Sequence, residues 1–360
     1  MQRSRSFLIP PFSAILILAL SLAISTRVKA AAAGPSGYML INKVTLGGEG
    51  GWDYLEVDAA THRVFISRGS HVMVVESDGR VAGDIPNTSG VHGIAIANEF
   101  NRGFTTNGGS NDVTVFDLGT LKPLAQVKVT GTGPDGILYD PASKRVFTMN
   151  GRSEDATAID AKTSEVAGTI KLDGRPESAA SDEKGHIFIN IESKSELTEI
   201  DSKSLQVLNT WPLAPCSSPS GLAIDPKHDR LVVGCHNNMM AFVDGTNGKV
   251  VSTVPIGSGV DANRFDGHLG YAYASCGDGT LTIAHEDSPD KFSLVEKIDT
   301  ERGARTMALD PVTDSVFLVT ADFPPPSAVP ATPPAGGRAQ RPQPLAGTFR
   351  LLIYARSYPR

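Results

Sequence analysis

One phrase, repeated at nearly constant spacing, constrains this chain more than any other feature. It is an apolar tripeptide, an Asp, often a Pro, a short polar turn and a strand-like run. It reads GILYDPASKRVFTMN from Gly136, GLAIDPKHDRLVVGC from Gly221 and TMALDPVTDSVFLVT from Thr306. Looser copies start at Tyr54, Gly93, Ser178 and Ala262. The residues opening the second run of each copy are Arg63, Arg102, Arg145, His186, Arg230, Tyr271 and Ser315, with steps of 39, 43, 41, 44, 41 and 44. Seven units at a mean step of 42 give the spacing of propeller blades, not of helical solenoids.

Each unit carries four strand signals. In the unit from Gly93 they are GIAIA, GFTTN, DVTVFD and LAQVKVT, short, alternating and rich in β-branched residues. The third run ends in an Asp with Thr, Ser or Asn three residues on: Asp117/Thr120, Asp160/Thr163, Asp201/Ser204 and Asp244/Asn247. An Asp carboxylate accepts backbone N–H groups two residues ahead and closes a tight hairpin. Asp140, Asp225 and Asp310 do the same in the first hairpin, where Pro141, Pro226 and Pro311 preset φ. These seven Asp are read as structural.

The expected fold class is therefore all-β, a seven-bladed β-propeller with four-stranded blades. The last unit lacks a fourth strand, and MLINKVTLGG from Met39 reads like AQVKVTGTGP, the fourth strand of another unit. The N-terminal strand should thus close the last blade, which removes the open edges of the ring. Residues 323–347 break the pattern and hold eight of the 24 Pro. Pro cannot donate to a ladder, so a Pro-rich flexible loop is expected there, between the second and third strands of the last blade. It reads as a solvated insertion or as a docking segment for a partner.

Residues 1–30 read as an address. Arg3 and Arg5 precede an apolar run of 13 residues, 12–24, and Val28 and Ala30 are placed for cleavage before Ala31. Such a run reaches only ~20 Å as a helix, short of the ~30 Å hydrocarbon core. A signal peptide over 1–30 and a propeller domain over 31–360 follow, with a periplasmic or secreted location and no membrane span in the mature chain. Residues 1–30 carry four basic residues and no acid, so their removal takes the formal charge from −6 to −10. That balance excludes a generic nucleic-acid surface.

The compartment is oxidising, so the three cysteines matter. No CxxCH or CxxC exists among Cys216, Cys235 and Cys276, which excludes covalent haem and a zinc ribbon. Cys216 precedes the fifth unit and Cys235 ends its second strand, on one face; a Cys216–Cys235 bridge with Cys276 free is expected. No nucleophile elbow, HExxH, P-loop or dinucleotide fingerprint is present.

The second-strand phrases FTTN (104–107) and FTMN (147–150), the run NDVTVFDLGTLKPLAQV and the Asp-Pro turns resemble the YncE-like, YVTN-repeat family of secreted bacterial β-propellers. The resemblance runs from about residue 38 to 355 and implies an extracytoplasmic seven-bladed propeller; it implies little about activity. Where the signature has Asn, this chain has Arg68, Ile191, Cys235, Cys276 and Thr320.

In a four-stranded blade the fourth-to-first and second-to-third connections share a face, so the residues entering each first strand ring the channel mouth. They are Asp53, His92, Asp135, Glu177, Ser220, Asp261 and Arg305. Asp53, Asp135, Glu177 and Asp261 are the candidate ligands of a hard cation such as calcium. No cofactor is otherwise required. A metal there, with His92 as base, would resemble metal-dependent lactonases on this architecture. Trp52 abuts Asp53 and reads either as a stacking platform for a ligand or as core filling between blades. The leading expectation is a monomeric binding or scaffold protein without catalysis, recognising a protein, glycan or small-molecule ligand on its mouth face. The alternatives are a metal-dependent hydrolase or lactonase and an accessory to periplasmic redox systems.

Overall fold

A computed structural model describes residues 34–325 and 343–357. The expected signal peptide and the centre of the Pro-rich segment, 326–342, lie outside the described residues. Seven four-stranded antiparallel sheets form the seven blades. Blade 1 starts at Leu55, blade 2 at Val91, blade 3 at Pro134, blade 4 at Pro176, blade 5 at Pro219, blade 6 at Val260 and blade 7 at Met307. Blade 7 orders its strands as Met307–Asp310, Ser315–Thr320, Arg350–Arg356 and Tyr38–Thr45. The N-terminal strand is therefore the outermost strand of the last blade, pairing Tyr38 with Arg356 and Thr45 with Arg350. Among the described residues, no helix is long and apolar enough to cross a membrane.

The Asp turns are built as their chemistry requires. Asp117 Oδ1 accepts Thr120 N at 2.7 Å, Asp160 Oδ1 accepts Thr163 N at 2.7 Å and Asp201 Oδ1 accepts Ser204 N at 2.6 Å. Asp244 uses a variant: Oδ1 accepts Thr246 N at 2.9 Å, and Asn247 donates its side-chain amide to Oδ2. In the first hairpins, Asp140 accepts from Ser143 N, Asp225 from Lys227 N and Asp310 from Val312 N. These carboxylates satisfy turn amides that no ladder reaches.

The second strands differ from a half-buried alternating pattern. RGFTTN, RVFTMN and RLVVGC are buried at every position after the first. Each blade is sandwiched between two others, so both faces of its inner strands meet apolar neighbours. Phe147 and Met149 of blade 3 pack on Ile187, Ile189 and Ile191 of blade 4, for example. The outer strands Pro123–Lys128 and Val207–Pro212 are mostly exposed.

In blades 2, 3 and 5 the Arg that opens the second strand also clamps the next blade. Arg102 donates to Ser164 Oγ, Arg145 to the Ser202 and Lys203 carbonyls, and Arg230 to the Pro289 carbonyl. Each acceptor lies at the outer hairpin of the following blade, so one repeated residue ties neighbouring repeats together.

Candidate functional site at the channel mouth

The seven ring residues all stand at the entry to a first strand. His92, Asp135, Glu177, Ser220 and Asp261 are each the second residue of that strand, while Asp53 and Arg305 lie two residues before theirs. In blades 2 and 3 the neighbouring blade comes close enough to require glycine in the next position. A Cβ at Gly93 would come 2.9 Å from the Asp135 carbonyl oxygen, and one at Gly136 would strike the Glu177 carbonyl. Backbone of one blade thus packs directly on the mouth residue of the next.

A polar residue at the fifth position of the second strand fixes the ring backbone. Thr106 donates to the Asp135 carbonyl, Asn190 to the Ser220 carbonyl at 2.9 Å and Ser275 to the Arg305 carbonyl at 2.5 Å. Ser67 accepts the Asp53 N–H at 3.0 Å. Sequence reasoning missed these four. Their signal was a small polar residue inside an otherwise apolar, fully buried strand, which is tolerated only with a partner.

The ring side chains form a chain of contacts. Ser220 Oγ lies 3.4 Å from Asp261 Oδ1, and Asp261 Oδ2 accepts Arg305 Nε at 2.5 Å. Arg305 Nη2 reaches Asp53 Oδ1 at 3.7 Å and donates to the Trp52 carbonyl at 3.2 Å. Asp53 Oδ2 lies 2.7 Å from His92 Nδ1, which also faces Asp135 Oδ1 at 3.6 Å. Burial would lower the His92 pKa, but the Asp53 hydrogen bond and the Asp135 charge outweigh it and raise it to about 9. His92 is therefore a cation at neutral pH, a poor state for a general base.

Glu177 stands apart from this chain. Burial and then the charges of Asp135, Glu192, Asp261 and Asp53 push its carboxyl well above the usual range. Asp53 and Asp261 contact the protein's own cations. Asp53, His92 and Asp135 bring ligand atoms within 4.8 Å of one another, and Glu177 feels the charge of the other acids.

Trp52 is only 8% exposed and packs on Phe349 and Phe323, with ring centroids 5.4 and 6.0 Å away. It fills the seam between blades 1 and 7, and its remaining edge borders a 320 Å³ hollow with Arg302, Arg305, Phe323 and Pro344. A second hollow of 540 Å³ is lined by His92, Asp135, Arg152, Arg175 and a set of glycines. Cys216 and Cys235 are joined as a disulfide with Cα atoms 5.4 Å apart, and Cys276 is free and buried.

The fold and this mouth define the class: a seven-bladed β-propeller carrying a charged ring at its axis. No protein-family model matches the chain. No curated protein matches it either. Solved structures do. Kuenenia stuttgartiensis hydrazine synthase is similar with a TM-score of 0.66 at 16% identity, covering 75% of this chain and 92% of that one. A chain of the mitotic checkpoint complex is similar with a TM-score of 0.69 at 14% identity, covering 85% and 95% respectively. At these identities the likeness is one of fold, which hosts many functions.

Proposed function

We propose that this propeller is a recognition protein, periplasmic or secreted, that takes a cationic group into its channel mouth and performs no catalysis. The observation that carries the reading is Glu177. Burial and the like charges acting on its carboxyl all disfavour ionisation, whereas Arg305 and His92 already serve the other acids. An ammonium or guanidinium beside Glu177 would supply the missing counter-charge. A small amine, an amino sugar on a glycan or a lysine of a protein partner each offers that group. Calcium competes for the same place, but it takes six to eight oxygens, so Asp53 and Asp261 would have to leave His92 and Arg305. The leader-like residues 1–30 and the Cys216–Cys235 bridge support the extracytoplasmic location.

Calorimetric titration of spermidine and of calcium chloride into EDTA-treated protein tests the reading. Spermidine should bind the wild type and lose that binding in Glu177→Gln. Calcium binding without spermidine binding would replace the amine with a metal. Heats that are the same in both proteins would remove Glu177 from recognition.

A further inference from the structure

Two departures from the repeat meet at one point on the face opposite the mouth. The first is in the turn after the first strand. The third residue after the turn Asp is a hydroxyl in three blades, Thr61, Ser143 and Thr313, and each donates to its Asp at 2.6–2.7 Å. In blade 5 that position is His228, beside Asp225. The second departure is in blade 6. Its third strand runs Thr280–Ser288, nine residues where the corresponding strands of blades 2 to 5 have six. The added length carries Glu286. Arg230 holds that hairpin against blade 5, donating to the Pro289 carbonyl at 2.9 Å and to Asp290 Oδ1 at 2.7 Å.

The three side chains converge. His228 Nδ1 lies 2.7 Å from Asp225 Oδ2 and 2.9 Å from Glu286 Oε1. The three atoms are buried, and none of them makes a well-aligned hydrogen bond to a protein group. The Asp225 and Glu286 side chains are only 3% and 7% exposed. The ligand atoms of the three residues all lie within 4.8 Å of one another, so one cation between them would serve both buried carboxylates. An imidazole proton on Nδ1 serves one acceptor and leaves the other oxygen unmatched. The cluster borders a cleft of 420 Å³, also lined by Lys227, Phe265 and Asp287, which leaves room for water to complete a coordination sphere.

We propose that Asp225, His228 and Glu286 form a site for a first-row divalent metal of the zinc class. One imidazole and two carboxylates without thiolate are a donor set for such a metal. Calcium prefers six to eight oxygens and is poorly matched to three donors that include nitrogen. The site lies apart from the mouth and does not depend on its reading. A further set on the same kind of turn, Asp266, His268 and Asp314, is a weaker candidate because His268 is 71% exposed.

The test uses EDTA-stripped protein, zinc chloride as the probe and calcium chloride as the comparator. The wild type should bind zinc in preference to calcium. His228→Thr installs the hydroxyl that the turns of blades 1, 3 and 7 carry, so it should keep the fold while weakening zinc binding at this site at least tenfold. Glu286→Gln should weaken it as well. Anomalous scattering at the zinc edge should place the ion between the three residues. Zinc affinity unchanged in both variants, or an anomalous peak elsewhere with none here, means an adventitious ion only and overturns the proposal. So does a folded wild type that binds no zinc.

Discussion

His92 of blade 2 and Asp53 at the entry to blade 1 are joined across the channel mouth by a 2.7 Å contact from Nδ1 to Oδ2. Their backbones are fixed independently, Asp53 by Ser67 and the Gly93 amide beside His92 by Thr106. The pair is therefore held by two blades rather than by one loop, and its charge state bears on how those blades meet.

That charge state sets a pH dependence. The His92 pKa is raised to about 9 in the folded protein, above the ordinary ~6.5 of the unfolded chain. The folded state holds the proton more tightly, so the stabilisation is fully present below about pH 6.5 and is lost as pH rises through about 9. The melting temperature of the wild type should fall over that window, and His92→Gln should flatten the fall. An NMR titration of the His92 ring should give a midpoint near 9; a midpoint near 6.5 would mean Asp53 and Asp135 do not hold the proton.

Arg305 and Asp261 are 16% and 15% exposed, buried enough for removal of one partner to strand the other. Arg305→Met should destabilise the protein by about 3 kcal/mol, the range for leaving a buried charge unpaired. Adding Asp261→Asn should recover part of that loss, because the stranded charge is gone. Chemical denaturation of the two single variants and the double variant completes the cycle. Additive losses would show that the pair is not coupled.

The architecture was legible because each repeat must close its own hairpins. Asp140, Asp225 and Asp310 announce first turns, Asp117, Asp160 and Asp201 announce third-strand ends, and the step between copies gives the blade count. The strand from Tyr38 was placed by its likeness to another unit's fourth strand. The ring residues followed from topology alone, since a residue entering a first strand must face the mouth. Interactions between blades were not legible. Thr106, Asn190 and Ser275 look like ordinary strand residues until the next blade's carbonyls are placed against them. Asp225, His228 and Glu286 come from two blades and an irregular hairpin, so no local spacing joins them. Trp52 suited either a platform or a core, and only the neighbouring Phe349 and Phe323 decide that it is largely core.

The asparagines that end the second strands of blades 2 and 3 prove to be internal wiring. Asn150 donates to Asp155 Oδ1 at 2.7 Å and to Thr157 Oγ1 at 2.9 Å, and accepts from Thr148 at 2.9 Å. Asn107 repeats the set with Asp112, Thr114 and Thr105. Each joins the end of the second strand to the start of the third inside a buried blade. Asn150→Leu should cost about 2–3 kcal/mol, because Asp155 and Thr157 lose a buried donor. Denaturant unfolding checks it. A cost below about 0.5 kcal/mol, the range of ordinary surface changes, would show that water replaces the amide.

The cysteines give a prediction that separates bridge from thiol. Cys216 and Cys235 close a loop with a sequence separation of 19, and in the chain-entropy account such a bridge contributes about 3 kcal/mol. Cys216→Ser with Cys235→Ser should lower stability by that order while leaving the blade count and the far-ultraviolet spectrum unchanged. Cys276 behaves oppositely. It is fully buried, and burial with the nearby Asp278 charge pushes its thiol up to about 12, so almost no thiolate exists at neutral pH. Iodoacetamide should leave the native protein unmodified and add a single alkyl group once denaturant is present. Two further alkyl groups should appear only after reduction. Rapid modification of the native protein would mean that Cys276 is reached by solvent through an opening of blade 6.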